Sequence, residues 1–155
     1  MISKGTDLEL GKRGHGVDSA GYFLALAEQV GFVLTAFWPI TVLLAVAWVG
    51  AFAATKPGPA GGRWRSLALG CLPPFALPVA ILVCGVVFAS REGEPPAFPQ
   101  YIIAVLLLAH LPLAGLHCWW WGERCLAVLV SWVSAGYVSL AAGFISAMSV
   151  TGDWL

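Results

Sequence analysis

The sequence predicts an all-α integral membrane protein, a four-helix bundle whose spans run up and down antiparallel. Three observations carry that prediction. Hydrophobic residues make up 59% of the 155 residues and charged ones 10%, against about 25% charged in an ordinary soluble domain. The apolar residues gather into four runs, Val30–Ala54, Leu67–Ala89, Tyr101–Cys118 and Cys125–Met148, and none contains Asp, Glu, Lys or Arg. Each run is near the roughly 20 residues a helix needs to cross about 30 Å of hydrocarbon. A charge at that depth costs about 3 kcal/mol, whereas Leu, Ile, Val and Phe are favoured there. A soluble bundle would show a polar stripe on every helix, and the first three runs are apolar nearly all round.

One domain follows. Residues 1–18 read as a flexible tail, and 19–155 as a single four-span domain with helices at about 30–54, 67–89, 99–119 and 125–149. The tail is Gly-rich and without periodicity. Asp18 or Ser19 can cap a helix carrying Tyr22, Phe23, Leu24, Leu26 and Ala27. Unbroken to Ala54, that helix would hold about 36 residues and reach roughly 54 Å, more than a bilayer. A break near Gly31 is therefore expected. It would leave Ser19–Gln29 as a short N-terminal interfacial helix with Glu28 and Gln29 at the headgroups.

The first connection, Thr55–Ser66, holds Pro57, Gly58, Pro59, Gly61 and Gly62, which forbid a continuous helix. The second span carries Pro73, Pro74 and Pro78 and must kink or begin late. The second connection, Ser90–Gln100, is punctuated by Pro95, Pro96 and Pro99. The third is only Trp119–Arg124, so the last two helices must be antiparallel neighbours. Trp64, Trp119, Trp120, Trp121, Trp154, Tyr22 and Tyr101 fall at helix ends, as an interfacial aromatic belt does.

Seven charged residues lie in the first 29, with no short apolar segment before a cleavage site. The expectation is an uncleaved protein of a plasma membrane, such as a bacterial inner membrane. Lys4, Lys12, Arg13 and Arg91 fall on one side, and Lys56, Arg63, Arg65 and Arg124 on the other. Weighting charges nearest the spans turns the first and third loops to the cytoplasm. Net charge is zero, which offers nucleic acid nothing. The Lys12-Arg13-Gly14-His15 cluster reads as part of a solvated tail, with contact to anionic lipid headgroups as the alternative, since lipid-binding patches usually hold about 4–8 basic residues.

The fourth span holds the clearest pattern. At 100° per residue, Ser131, Ala135, Ser139, Ala142, Ser146 and Ser149 share one face, and Leu129, Val130, Val133, Tyr137, Leu140, Phe144 and Met148 the other. Ser131, Ala135, Ser139, Gly143 and Ala147 form a continuous small-xxx-small series. Small residues let backbones approach closely, and serine hydroxyls can bond across the contact. This is the expected helix-packing or oligomer face, with the bulky face towards lipid. Whether its partner is another helix of the chain or another copy stays open.

His110 and His117 share a face of the third span. An ionisable group at such depth is a functional candidate. The alternative is a neutral imidazole bonded to a serine or a free carbonyl of a neighbouring helix. Both histidines sit on one helix, which disfavours a bis-histidine haem within one chain. Cys71, His117, Cys118 and Cys125 fall near one membrane face and contain the donor types of a zinc site, but without the usual C-x-x-C spacing. They read instead as small apolar residues. Cys118 and Cys125 can form a disulfide only if that face is outside. No cofactor or metal is expected.

No nucleotide loop, catalytic triad or intramembrane carboxylate pair is present. The expected partners are the bilayer, copies of the chain or other membrane subunits. The leading expectation is a non-enzymatic polytopic protein acting through helix–helix association. A pore-like effector and a membrane redox or metal-binding protein are the alternatives.

Overall fold

The computed structural model of the chain describes residues 19–54, 70–89, 98–122 and 125–151. The tail, most of the first two connections, Trp64, Glu123, Arg124 and Trp154 lie outside them. Among the described residues there are helices and no strand. They are α1 (Ser19–Ala36), α2 (Trp38–Ala54), α3 (Pro73–Val87), α4 (Phe98–Trp121) and α5 (Cys125–Thr151).

The break expected near Gly31 lies at Phe37 instead, and 19–29 is no separate interfacial helix. Gly31 stays within α1, because one glycine costs a helix only about 1 kcal/mol. Pro39 does more. It lacks the N–H that would reach the Thr35 carbonyl, and its ring disfavours a helical residue before it. The chain turns through 88° between α1 and α2. Groups released at the elbow find new partners: Thr41 Oγ1 donates to the Leu34 carbonyl at 3.0 Å, and Ile40 N to the Phe37 carbonyl at 3.0 Å.

The second expected helix begins late. A 3-10 turn at Pro73–Phe75 precedes the α-helix Ala76–Val87. Pro78 then sits in the first helical turn, where an N–H has no partner to lose. α4 continues past a turn at Ala109, close to Pro112. The expected last span, 125–149, is α5.

Two helices, α4 and α5, are long and apolar enough to cross a membrane, and the bent pair α1–α2 makes a third if taken as one span. α3 reaches only about 22 Å at 1.5 Å per residue.

α5 forms the axis on which every other helix packs. Half of its apolar window is buried, against 11% for α4. Paired contacts give the directions. Gly143 meets Ile103 and Leu107 while Ser139 meets His110, so α4 runs antiparallel to α5. Ser131 meets Cys71 and Ser149 meets Gly85, so α3 runs parallel to it. Leu26 and Val30 of α1 close a core with Ile81, Leu82, Ile103, Ala142 and Ile145.

The tightest crossing is α3 on α5. A methyl group at Gly85 would stand 2.7 Å from Ser146 Oγ, 2.8 Å from its Cβ and 3.0 Å from its Cα. Gly85→Ala should therefore cost about 1–3 kcal/mol, as overpacking does. Adding Ser146→Gly should restore part of the loss in a thermal unfolding series in mild detergent. Ser146→Ala alone should be neutral or stabilising, because its hydroxyl is buried without a partner.

Candidate functional site

The small face of α5 is enclosed by the chain itself. Ser131, Ala135, Ser139, Ala142 and Ser146 are all 0% exposed. Gly143 is buried against Leu107 and Ile103, and Ala147 is half-buried. The bulky residues Leu129, Val133, Leu140 and Phe144 face outward. A contact between copies through the serine face would thus require the helices around α5 to part.

The polar side chains on this axis form short relays, and most end on a backbone carbonyl. Ser131 Oγ donates to the Cys71 carbonyl. Tyr22 donates its hydroxyl to Ser149 Oγ at 2.7 Å, and Ser149 donates to the Gly85 carbonyl at 3.0 Å. Trp48 Nε1 donates to Ser134 Oγ at 3.1 Å, and Ser134 donates to the Val130 carbonyl at 2.8 Å.

His110 belongs to such a relay. Its Nδ1 lies 3.1 Å from the Leu106 carbonyl and its Nε2 lies 3.0 Å from Ser139 Oγ. A carbonyl only accepts, which assigns the ring proton to Nδ1 and makes Ser139 the donor to Nε2. Both nitrogens are occupied. The ring is a clasp between α4 and α5.

His117 differs. Trp132 Nε1 donates to its Nδ1 at 2.9 Å. An indole only donates, so the His117 proton is assigned to Nε2. That nitrogen has no partner among the described residues. Trp132 stands edge-on to both imidazoles, with centroids 5.8 Å from His110 and 6.0 Å from His117. The His117 ring and Trp132 line an open cleft of about 410 Å3 between α3 and α4, with otherwise apolar walls.

The cysteines are all free thiols. Cys71 Sγ lies 3.9 Å from the Ala127 carbonyl, and Cys118 Sγ lies 3.9 Å from the Cys125 carbonyl. Among the described residues, no three His, Cys, Asp or Glu side chains come together as a metal-binding group. The structure therefore does not assemble Cys71, His117, Cys118 and Cys125 into one site.

Of the expected belt, Trp119 and Trp120 are more than four-fifths exposed and Tyr101 is exposed. Tyr22 is not a belt residue, because its hydroxyl turns inward to Ser149. Trp121 is half-buried against Gly70. Sequence reasoning passed over Trp48 and Trp132. A signal existed for the second: Trp132 projects about 20° from Ser139 on the helical wheel. An indole on a packed face must find an acceptor for its N–H.

Comparison with protein families, curated proteins and solved structures gives no match.

Imidazole 15N spectra should show opposite tautomers, with the proton on Nδ1 of His110 and on Nε2 of His117. His110→Leu should cost about 1–3 kcal/mol beyond its packing change, because Ser139 loses its acceptor in a buried site. His110→Leu with Ser139→Ala should recover part of that loss in detergent unfolding. A double loss equal to the sum of the two single losses, with Ser139→Ala measured alone as well, would show that the hydrogen bond contributes nothing.

Proposed function

We propose that the protein acts inside a bilayer through helix–helix association, as a subunit or accessory of a membrane assembly or as a homo-oligomer, and not as an enzyme. The observation that carries this reading is α2. It is a charge-free helix of 17 residues in which Ala51 is the buried residue. Val42, Leu43, Val46 and Val49 are exposed along one stripe, and Gly50 beside them has nothing within 4 Å of an added methyl. Side chains at that 3–4-residue spacing, with a glycine that admits a close backbone, suit a helix partner. At 88° to α1, the helix leaves this stripe uncovered by the other described residues.

The association surface in this reading is α2 and not the serine face. The reading counts four crossings, with α1–α2 as one bent crossing and α3 as a short one. The alternating chain directions support that count. A bacterial inner membrane belongs to the same proposal. Most of the serine hydroxyls that a pore-like effector would turn to water, those of Ser131, Ser134, Ser139 and Ser149, are bonded within one chain, which weakens that alternative.

Gly50→Leu and Val46→Trp should break up a co-purifying assembly or oligomer, read by native mass spectrometry from mild detergent. The thermal midpoint should change little, since both sites are open. Ser139→Leu should do the reverse and lower the midpoint. An assembly that keeps its mass and composition in both α2 variants would overturn the proposal.

A further inference from the structure

We propose that the cleft between α3 and α4 binds a bilayer-dissolved molecule with an apolar body and a carbonyl oxygen, which accepts a hydrogen bond from His117 Nε2. The cleft follows from how the two helices diverge. Phe88 and Phe98 clasp them at one end, edge to face with centroids 5.0 Å apart. From there α3 packs mainly on the first half of α4, while both halves of α4 pack on α5. A wedge opens between Pro73 and Leu77 on one side and Leu116, His117 and Trp120 on the other, floored by Trp132. Its volume of about 410 Å3 lies within the range of small-molecule sites.

The chemistry of the ligand follows from the hydrogen bonds. The relays through Ser131, Ser134, Ser149 and His110 end on carbonyls of the chain. The relay from Trp132 ends on His117. It leaves one N–H on a ring that lines an apolar cleft. A donor in such surroundings loses about 1–3 kcal/mol when unpaired, and an acyl chain offers it nothing. A carbonyl on an apolar body supplies the acceptor and fills the walls at once. The depth agrees. His117 lies less than one turn from Trp119 and Trp120, whose exposed indoles mark the boundary between hydrocarbon and headgroups. A quinone ring and the ester of an acyl lipid both present a carbonyl there. This site is independent of the α2 surface.

The test uses the full chain with 15N-labelled histidine, of which there are three. In nanodiscs of ether-linked phosphocholine, which has no carbonyl, decylbenzoquinone is titrated against decylbenzene. A second arm uses ester-linked phosphocholine alone. The expected result is a movement of the His117 Nε2–H signal with a carbonyl source and none with decylbenzene. A saturable shift with the quinone identifies that source, and a shift in the ester lipid alone identifies the lipid. Ala76→Trp places an indole in the cleft from an exposed position and leaves the Trp132–His117 bond intact. It should weaken the response by about tenfold or more, the equivalent of about 1.4 kcal/mol. A His117 signal that ignores both carbonyl sources, follows decylbenzene equally, or is unchanged by Ala76→Trp would overturn the proposal.

Discussion

Hydrocarbon neither donates nor accepts a hydrogen bond, and the arrangement around α5 answers to that fact. In water an unbonded serine or indole costs little. In an acyl-chain solvent each polar group must be satisfied by the protein. α5 carries five buried serines, and the residues around it sit where their carbonyls, imidazole, indole and phenol meet four of those hydroxyls. Each such bond is worth only about 0.6 kcal/mol on average between membrane helices. Their value lies as much in orientation, since an apolar contact would slide freely along a helix and a bonded one would not.

Size sets how close the partners come. α3 reaches α5 where Gly85 faces Ser146, with no room for a methyl group. α4 reaches it where Gly143 faces Leu107. Ser146 shows the two roles apart. Its hydroxyl is buried without a partner, so its smallness is what the crossing uses. Ser131 and Ser149 contribute both smallness and a hydrogen bond. The consequence for function is that the most distinctive surface in the sequence is consumed by folding. The surfaces proposed for other molecules are α2 and the wedge beside His117.

Legibility divided along local and non-local lines. The late start of α3 was readable because tandem prolines act on their own backbone. The antiparallel pairing of α4 and α5 was readable because the Trp119–Arg124 link is too short for anything else. The elbow lies at Phe37 rather than near Gly31, because Pro39 removes a hydrogen-bond donor and a glycine does not. Among the candidate residues, the small series of α5 announced itself by period. His110 paired with a serine and a carbonyl, the bland of its two readings. His117 could not be separated from it by sequence, since both sit on one helix face. Their difference lies in what α5 presents to each: a hydroxyl to one, an indole to the other.

The amino-acid sequence by itself determined the elements and their apolar character. Charge-free apolar stretches choose helix, and two or three of them have the length to cross a bilayer, because backbone groups in hydrocarbon must bond within the segment. Tertiary structure alone decided what each polar side chain does. A hydroxyl or ring nitrogen takes its role from the atom opposite, and that atom belongs to a helix far away in the chain. Ser139 and His110 lie 29 residues apart, and Tyr22 and Ser149 lie 127 apart. No local rule specifies which of many helix rotations brings them together.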